Sequence, residues 1–307
     1  MLAIVAPGQG AQTPGMLAPW LELPGVAEQL ARLSQAGGLD LLKHGTTSDA
    51  DQIRDTAVAQ PLIVATSLLA WTCLDKPAAD VTAGHSVGEI AAAVVAGVLT
   101  EGQAMSFVHE RGDRMAHAAS LVATGMSAVL GGDSAAVLSK AEQHGLTPAN
   151  MNATGQIVVA GTLEQLDAFA ADPPEGCRVR PLAVAGAFHT VHMEPAVNAL
   201  EAFASSMQTQ DPSTVLLSNA DGGSVSTGAE TLQRLIAQVR NPVRWDLCMD
   251  MMTSMGVTAM LELAPGGTLV GIAKRAMPGI ATLAIKGPDD LEAARALIAE
   301  HDGEADQ

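Results

Sequence analysis

Ala83-Gly84-His85-Ser86-Val87-Gly88-Glu89 contains the pattern G-x-S-x-G, and its flanks decide how the chain is read. Val81-Thr82-Ala83 reads as the end of a short strand. Glu89 to Ala96 reads as an Ala-rich helix that stops near Gly97. A strand, a tight turn and a helix put the Ser86 hydroxyl at the apex of a nucleophile elbow. Gly84 and Gly88 let strand and helix approach closely. The Val87 N–H then lies at a helix N-terminus, where partial positive charge collects. The competing reading of these residues alone is a Gly-flanked serine in an ordinary turn.

The totals narrow the function classes. The chain has 307 residues, 48% of them hydrophobic, with mean hydropathy +0.23. Aromatic residues make up only 2%, with no Tyr, so an aliphatic, Met-filled core is expected. A net charge of −17 weighs against nucleic acid and anionic membranes as partners. Cys73, Cys177 and Cys248 show no C-x-x-C spacing, which fits a reducing compartment and neither a disulfide framework nor a zinc site. Met1 to Val5 lacks a basic leader region, and no apolar run approaches the ~20 residues of a membrane span. The expectation is a soluble, cytoplasmic protein.

Outward from the elbow, Leu2 to Ala6 reads as a buried strand ended by the loop Pro7-Gly8-Gln9-Gly10. That loop is not a P-loop, and its functional role would be to bring Gln9 beside Ser86. Residues 25 to 74 read as mostly helical, with breaks at Gly37-Gly38 and Gly45 and a new start near Pro61. Thr100 to Ala119 reads as a helix capped by Thr100 and Gln103. It carries Arg111, whose default reading is a solvated surface residue. Between residues 124 and 188 the order is β-α-β-β-α-β, a ferredoxin-like split. The expected fold class is therefore α/β. A large α/β-hydrolase-like domain (1–123 and 189–307) holds the elbow, and a small ferredoxin-like domain (124–188) is inserted in it. His189 and His192 could share a helix face, but nothing nearby completes a metal site, and no metal is expected. The cluster Met249, Met251, Met252 and Met255 reads as core filling, and the acidic tail after His301 as frayed.

Seven motifs in this order carry a family resemblance. They are Pro7-Gly8-Gln9-Gly10, Gly84 to Glu89, Arg111-Gly112, Asn152 with Gly155-Gln156, Gly186-Ala187-Phe188-His189, Asn241-Pro242-Val243 and Pro265-Gly266-Gly267. Across nearly its whole length the chain resembles the malonyl-CoA:acyl carrier protein transacylases and the related acyltransferase domains of polyketide and fatty acid synthases. The resemblance implies ping-pong acyl transfer from malonyl-CoA to the phosphopantetheine thiol of an acyl carrier protein, with no cofactor. Ser86 would be the nucleophile and His189 its base, a choice that the residues alone do not make among eight histidines. Gln238 matches the position implicated in holding His189, which makes a dyad and not a triad. The N–H groups of Gln9 and Val87 would form the oxyanion hole. Arg111 would bind the malonyl carboxylate with its guanidinium fork. Phe188 would crowd the acyl α-carbon, and His85 and Asn152 would also contact substrate. Arg180, Lys274, Arg275 and Lys286 are candidate carrier-docking cations.

Two other function classes share parts of this pattern. A serine esterase or thioesterase would share the elbow, but would have no need of Arg111 and would usually carry an acid before its His. A non-catalytic carrier-binding subunit would have no need of Ser86, His189 and Arg111 together.

Overall fold

The computed structural model describes residues 1–301. The expected frayed tail lies outside them. The apolar runs become β1 (Leu2–Ala6), β2 (Val81–Gly84), β3 (Thr124–Gly131), β4 (Thr147–Ala153), β5 (Gln156–Thr162), β6 (Cys177–Pro181), β7 (Val215–Leu217), β8 (Ser224–Val225), β9 (Val243–Arg244), β10 (Ala259–Glu262) and β11 (Ala281–Ala284). One sheet runs β11-β10-β1-β2-β7-β8, with every pair parallel except β7–β8. β1 and β2 are buried along their whole length, as strands covered on both faces must be. Their C-terminal ends, Ala6 and Gly84, pair side by side. The Gln9 loop and the elbow therefore leave the sheet together, at the edge where open α/β sheets place their ligands.

The second sheet runs β6-β3-β5-β4-β9. Its first four strands are antiparallel neighbours, with helices Ser134–Gln143 and Leu163–Ala171 in the connections, so the split β-α-β-β-α-β unit is present. The sheet extends beyond that unit. β9, from the far side of the chain, adds a fifth strand parallel to β4. The two main-chain crossings into the unit are tied together, because the Ala187 N–H donates to Thr124 Oγ1 at 3.0 Å.

Several sequence expectations shift. The helix expected to begin near Pro61 begins at Thr56, where the Asp55 carboxylate accepts from the Ala57 N–H at 2.9 Å. Pro61 lies inside that helix, a position tolerated because tertiary burial outweighs one missing hydrogen bond. Thr56–Cys73 is also long and apolar enough to cross a membrane, contrary to the reading of apolar runs above, and 72% of it is buried. Its polar groups explain that burial: Ser67 Oγ donates to the Ala264 carbonyl, and Gln60 Oε1 accepts from Arg111. It is a core helix. His189 precedes the short helical turn Val191–Met193 with a left-handed backbone, so it shares no helix face with His192. Of the methionine cluster, Met249 and Met252 are buried while Met251 and Met255 are half-buried. β8, β9, β11 and helices Trp245–Ser254 and Leu291–His301 were assigned no element from the sequence, although Leu291, Ala294, Leu297 and Ile298 recur at helical spacing.

The elbow depends on two glycines. A Cβ on Gly84 would lie 2.0 Å from the Gly88 carbonyl carbon, and a Cβ on Gly88 would lie 2.3 Å from the Ala6 carbonyl oxygen. Both obstacles are backbone and cannot swing aside. Gly88→Ala is expected to destabilise the protein by about 2 kcal/mol or more. It should also abolish acylation of Ser86. Thermal melting and intact-protein mass together check this, and a wild-type melting temperature would refute the close-approach argument.

Candidate active site

Ser86 sits at the apex with φ +53°, in the left-handed region that non-Gly residues occupy at a cost of about 1–3 kcal/mol. Asn219 holds the turn at both ends. Its Oδ1 accepts from the Ser86 N–H, and its Nδ2 donates to the Gly84 carbonyl, both at 2.8 Å. Asn219 escaped the sequence reading. Its only signal was a polar residue two positions after β7, where a parallel strand meets the site.

His189 comes from the chain's return after β6, also at positive φ (+61°). Its main-chain N–H donates to the Val239 carbonyl at 3.0 Å. Its Nδ1 lies 2.8 Å from the Gln238 carbonyl, and its Nε2 lies 2.7 Å from Ser86 Oγ. A carbonyl only accepts, so Nδ1 carries the proton and the Nε2 lone pair faces the serine hydroxyl. Burial, reinforced by the neighbouring Arg111 charge, lowers the His189 pKa to about 3. The imidazole is therefore neutral and able to accept a proton at pH 7.

Arg111 reaches the same point from helix Glu101–Leu121 and is 1% exposed. The solvated default does not apply. Its Nη1 donates to Gln60 Oε1 at 2.7 Å, and its Nη2 donates to Gln238 Oε1 at 2.9 Å and to Ser86 Oγ at 3.5 Å. These partners are neutral oxygens, and among the described residues no carboxylate pairs with the guanidinium. Burial lowers its pKa to about 10, which leaves it fully protonated at neutral pH. The site thus holds a dry cation with no counter-ion in contact.

The cleft between the two sheets, about 240 Å³, is lined by Gln9, His85, Ser86, Asn152, Phe188 and His189, among others. Arg111, Val87 and Gln238 lie beneath that surface. Neither the Gln9 nor the Val87 main-chain N–H has an acceptor among the described residues, as an oxyanion hole requires. Phe188 is buried and lines the same cleft as the dyad. His85 and Asn152 satisfy each other, with Nε2 and Oδ1 2.8 Å apart, so they join the elbow to β4 and present less free polarity than their assigned role suggested. Met115, Met126, Val158 and Leu182 supply an apolar wall. Gln60 was also missed, since a lone Gln on an apolar helix gives no sign that it faces an arginine.

Residues 4–298 match the acyl transferase domain family. The chain belongs to that family. Among its relatives, the malonyl CoA-acyl carrier protein transacylase of Mycobacterium bovis is 51% identical, with 95% of this chain and 98% of the relative covered. The protein of that name from Escherichia coli K12 is 32% identical, with 96% and 99% covered. The crystal structure of MCAT from Mycobacterium tuberculosis superposes with TM-score 0.93 at 51% identity, covering 96% of this chain and 99% of that one. A type II PKS acyl-carrier protein in complex with its malonyl-transacylase gives TM-score 0.89 at 30% identity, covering 96% and 99%. The elbow and dyad described above are thus the candidate active site of an acyltransferase.

The buried base has a consequence for pH. The unfolded His takes up a proton near its ordinary pKa of about 6.5, whereas folded His189 does so only near 3. The stability linked to neutral His189 is present above pH 6.5 and declines as pH falls toward 3. In an imidazole NMR titration from pH 8 to 5, His189 should show no protonation step. A midpoint near 6.5 for His189 would contradict the buried geometry.

Proposed function

We propose that the protein transfers malonyl from malonyl-CoA to the phosphopantetheine thiol of an acyl carrier protein through a malonyl-Ser86 ester. The observation that carries this reading is Arg111, a buried guanidinium beside Ser86 with only neutral oxygens as partners. An acyl group bearing a terminal carboxylate completes that charge, whereas acetyl leaves it unpaired at a cost of several kcal/mol. The malonyl-transferring relatives support the same substrate class.

The first half-reaction begins when Ser86 Oγ attacks the thioester carbonyl. His189 Nε2 takes the serine proton, and the Gln238 carbonyl holds the imidazole in the required tautomer. The developing oxyanion accepts from the Gln9 and Val87 N–H groups, at the N-terminus of helix Gly88–Val95. Collapse expels CoA as its thiol, with the proton returned by His189. The second half-reaction runs the same steps with the carrier thiol as nucleophile. Phe188 beside the dyad limits substitution at the acyl α-carbon, where one methyl is worth about 1–3 kcal/mol. These steps use protein groups alone.

Carrier docking falls on the rim of the cleft. Lys274 and Arg275 lie exposed on helix Thr268–Ala276, whose Thr268, Leu269 and Ile272 line the cleft. Arg180 and Lys286 are also exposed. These cations would offset the chain's overall acidity where an acidic carrier approaches. Three free thiols fit the reducing compartment expected for such an enzyme.

Intact-protein mass spectrometry after brief mixing with malonyl-CoA tests the proposal. A malonyl-sized adduct should form on the wild type and not on Ser86→Ala, and a carrier thiol should discharge it. Steady CoA release without an adduct would indicate a hydrolase, and neither signal would indicate a binding subunit. Arg111→Ala should slow malonyl acylation by about 100-fold or more while acetyl acylation holds or rises. Unchanged malonyl kinetics in that variant would sink the assignment.

A further inference from the structure

Glu89 is buried on the first turn of helix Gly88–Val95, and the transfer described above gives it no chemical part. Its oxygens face several partners, the Ser218 hydroxyl among them. Oε1 accepts from the Asn219 N–H at 3.0 Å, and Oε2 accepts from Gln238 Nε2. Asn219 in turn holds the Ser86 N–H. Gln238 holds Arg111 through its side-chain oxygen and His189 through its main-chain oxygen. We propose that Glu89 is a positioning residue that sets which way the Gln238 amide faces, and through it aims Arg111 at the acyl carboxylate. The inference rests on the reading of Arg111 given above.

Donor and acceptor counting leaves one arrangement. A guanidinium has only donors, so Gln238 must show Arg111 its oxygen. An ionised carboxylate has only acceptors, so Gln238 must show its NH₂ to Glu89 in that form, which prevails above pH 7. An isosteric carboxamide at position 89 breaks this match either way. With its oxygen toward Gln238, its NH₂ meets the Asn219 N–H, donor against donor. With its NH₂ toward Gln238, the Gln238 amide must turn over and present its own NH₂ to the guanidinium.

Gln238 Nε2 also donates to Asn219 Oδ1 at 3.2 Å, which favours the same amide orientation. A second cavity, about 400 Å³, lies on the other side of Glu89 and is lined by Arg234 and Arg244. Those cations are already engaged, Arg234 with Asp221 and Glu230, and Arg244 with Asp246. Burial raises the Glu89 pKa to about 7, against the lowering effects of its hydrogen bonds and of Arg111 and Arg234.

The test measures acylation rates with malonyl-CoA and with acetyl-CoA for the wild type, Arg111→Ala, Glu89→Gln, Gln238→Met and the double variant Glu89→Gln/Gln238→Met. Gln238→Met keeps the main-chain carbonyl that holds His189, and it carries the test if Glu89→Gln fails to fold. The malonyl-to-acetyl rate ratio should fall roughly tenfold or more in each of these two single variants. It should fall no further in the double variant, because the two side chains act through one link. A merely structural role lowers both rates together and leaves the ratio unchanged. Preference lost in Arg111→Ala but retained in Glu89→Gln overturns the role of Glu89 alone, as does additivity in the double variant. A wild type without malonyl preference overturns the reading of Arg111 itself.

Discussion

Strand and helix meet at Gly84 and Gly88 more closely than any side chain permits, and the site depends on that contact. It forces the chain to reverse within a few residues and leaves Ser86 in a left-handed conformation. The cost is local and the compensation is tertiary. Asn219, brought in by a neighbouring parallel strand, bonds both ends of the turn. The register of β1 against β2 sets the Gln9 loop beside the elbow. The Ser86 elbow, the Gln9 loop and Asn219 converge because three sequence-distant strands, β2, β1 and β7, end at one sheet edge.

Charge inside the site is arranged with restraint. The residues touching Arg111 are carboxamides and a hydroxyl, which orient the guanidinium without neutralising it. A carboxylate in direct contact would have made a more stable resting protein and a poorer receptor for an anion. Burial holds His189 neutral, and the same cation reinforces that effect. The carboxylate that is present, Glu89, stands one amide away.

Much of the fold was legible because its signals are local. Turn glycines, Thr100 with Gln103 as a capping box, and the alternating rhythm of residues 124–188 each depend on neighbours in sequence. The family resemblance named Ser86, His189 and Arg111, and the structure brings these three within hydrogen-bond reach of one another's partners. Asn219 and Gln60 were illegible because their roles exist only between segments. A Gln on the apolar helix Thr56–Cys73 looks like a tolerated polar residue until Arg111 arrives opposite it. Pro61 misled for the mirror reason: a local breaker was overruled by burial. Two-residue strands such as β8 and β9 carry no pattern to detect.

β9 changes the mechanics of the molecule. An inserted unit joined only where the chain enters and leaves has two tethers, and two points define an axle about which it can swing. The parallel pairing of Asn150 and Met151 with Val243 and Arg244 adds a third attachment. Three points off one line leave no axle. The third attachment also lies only a few residues beyond Gln238, so the floor of the cleft and one of its walls are clamped to the same short piece of chain. The third attachment thus braces the cleft against swinging about the two tethers.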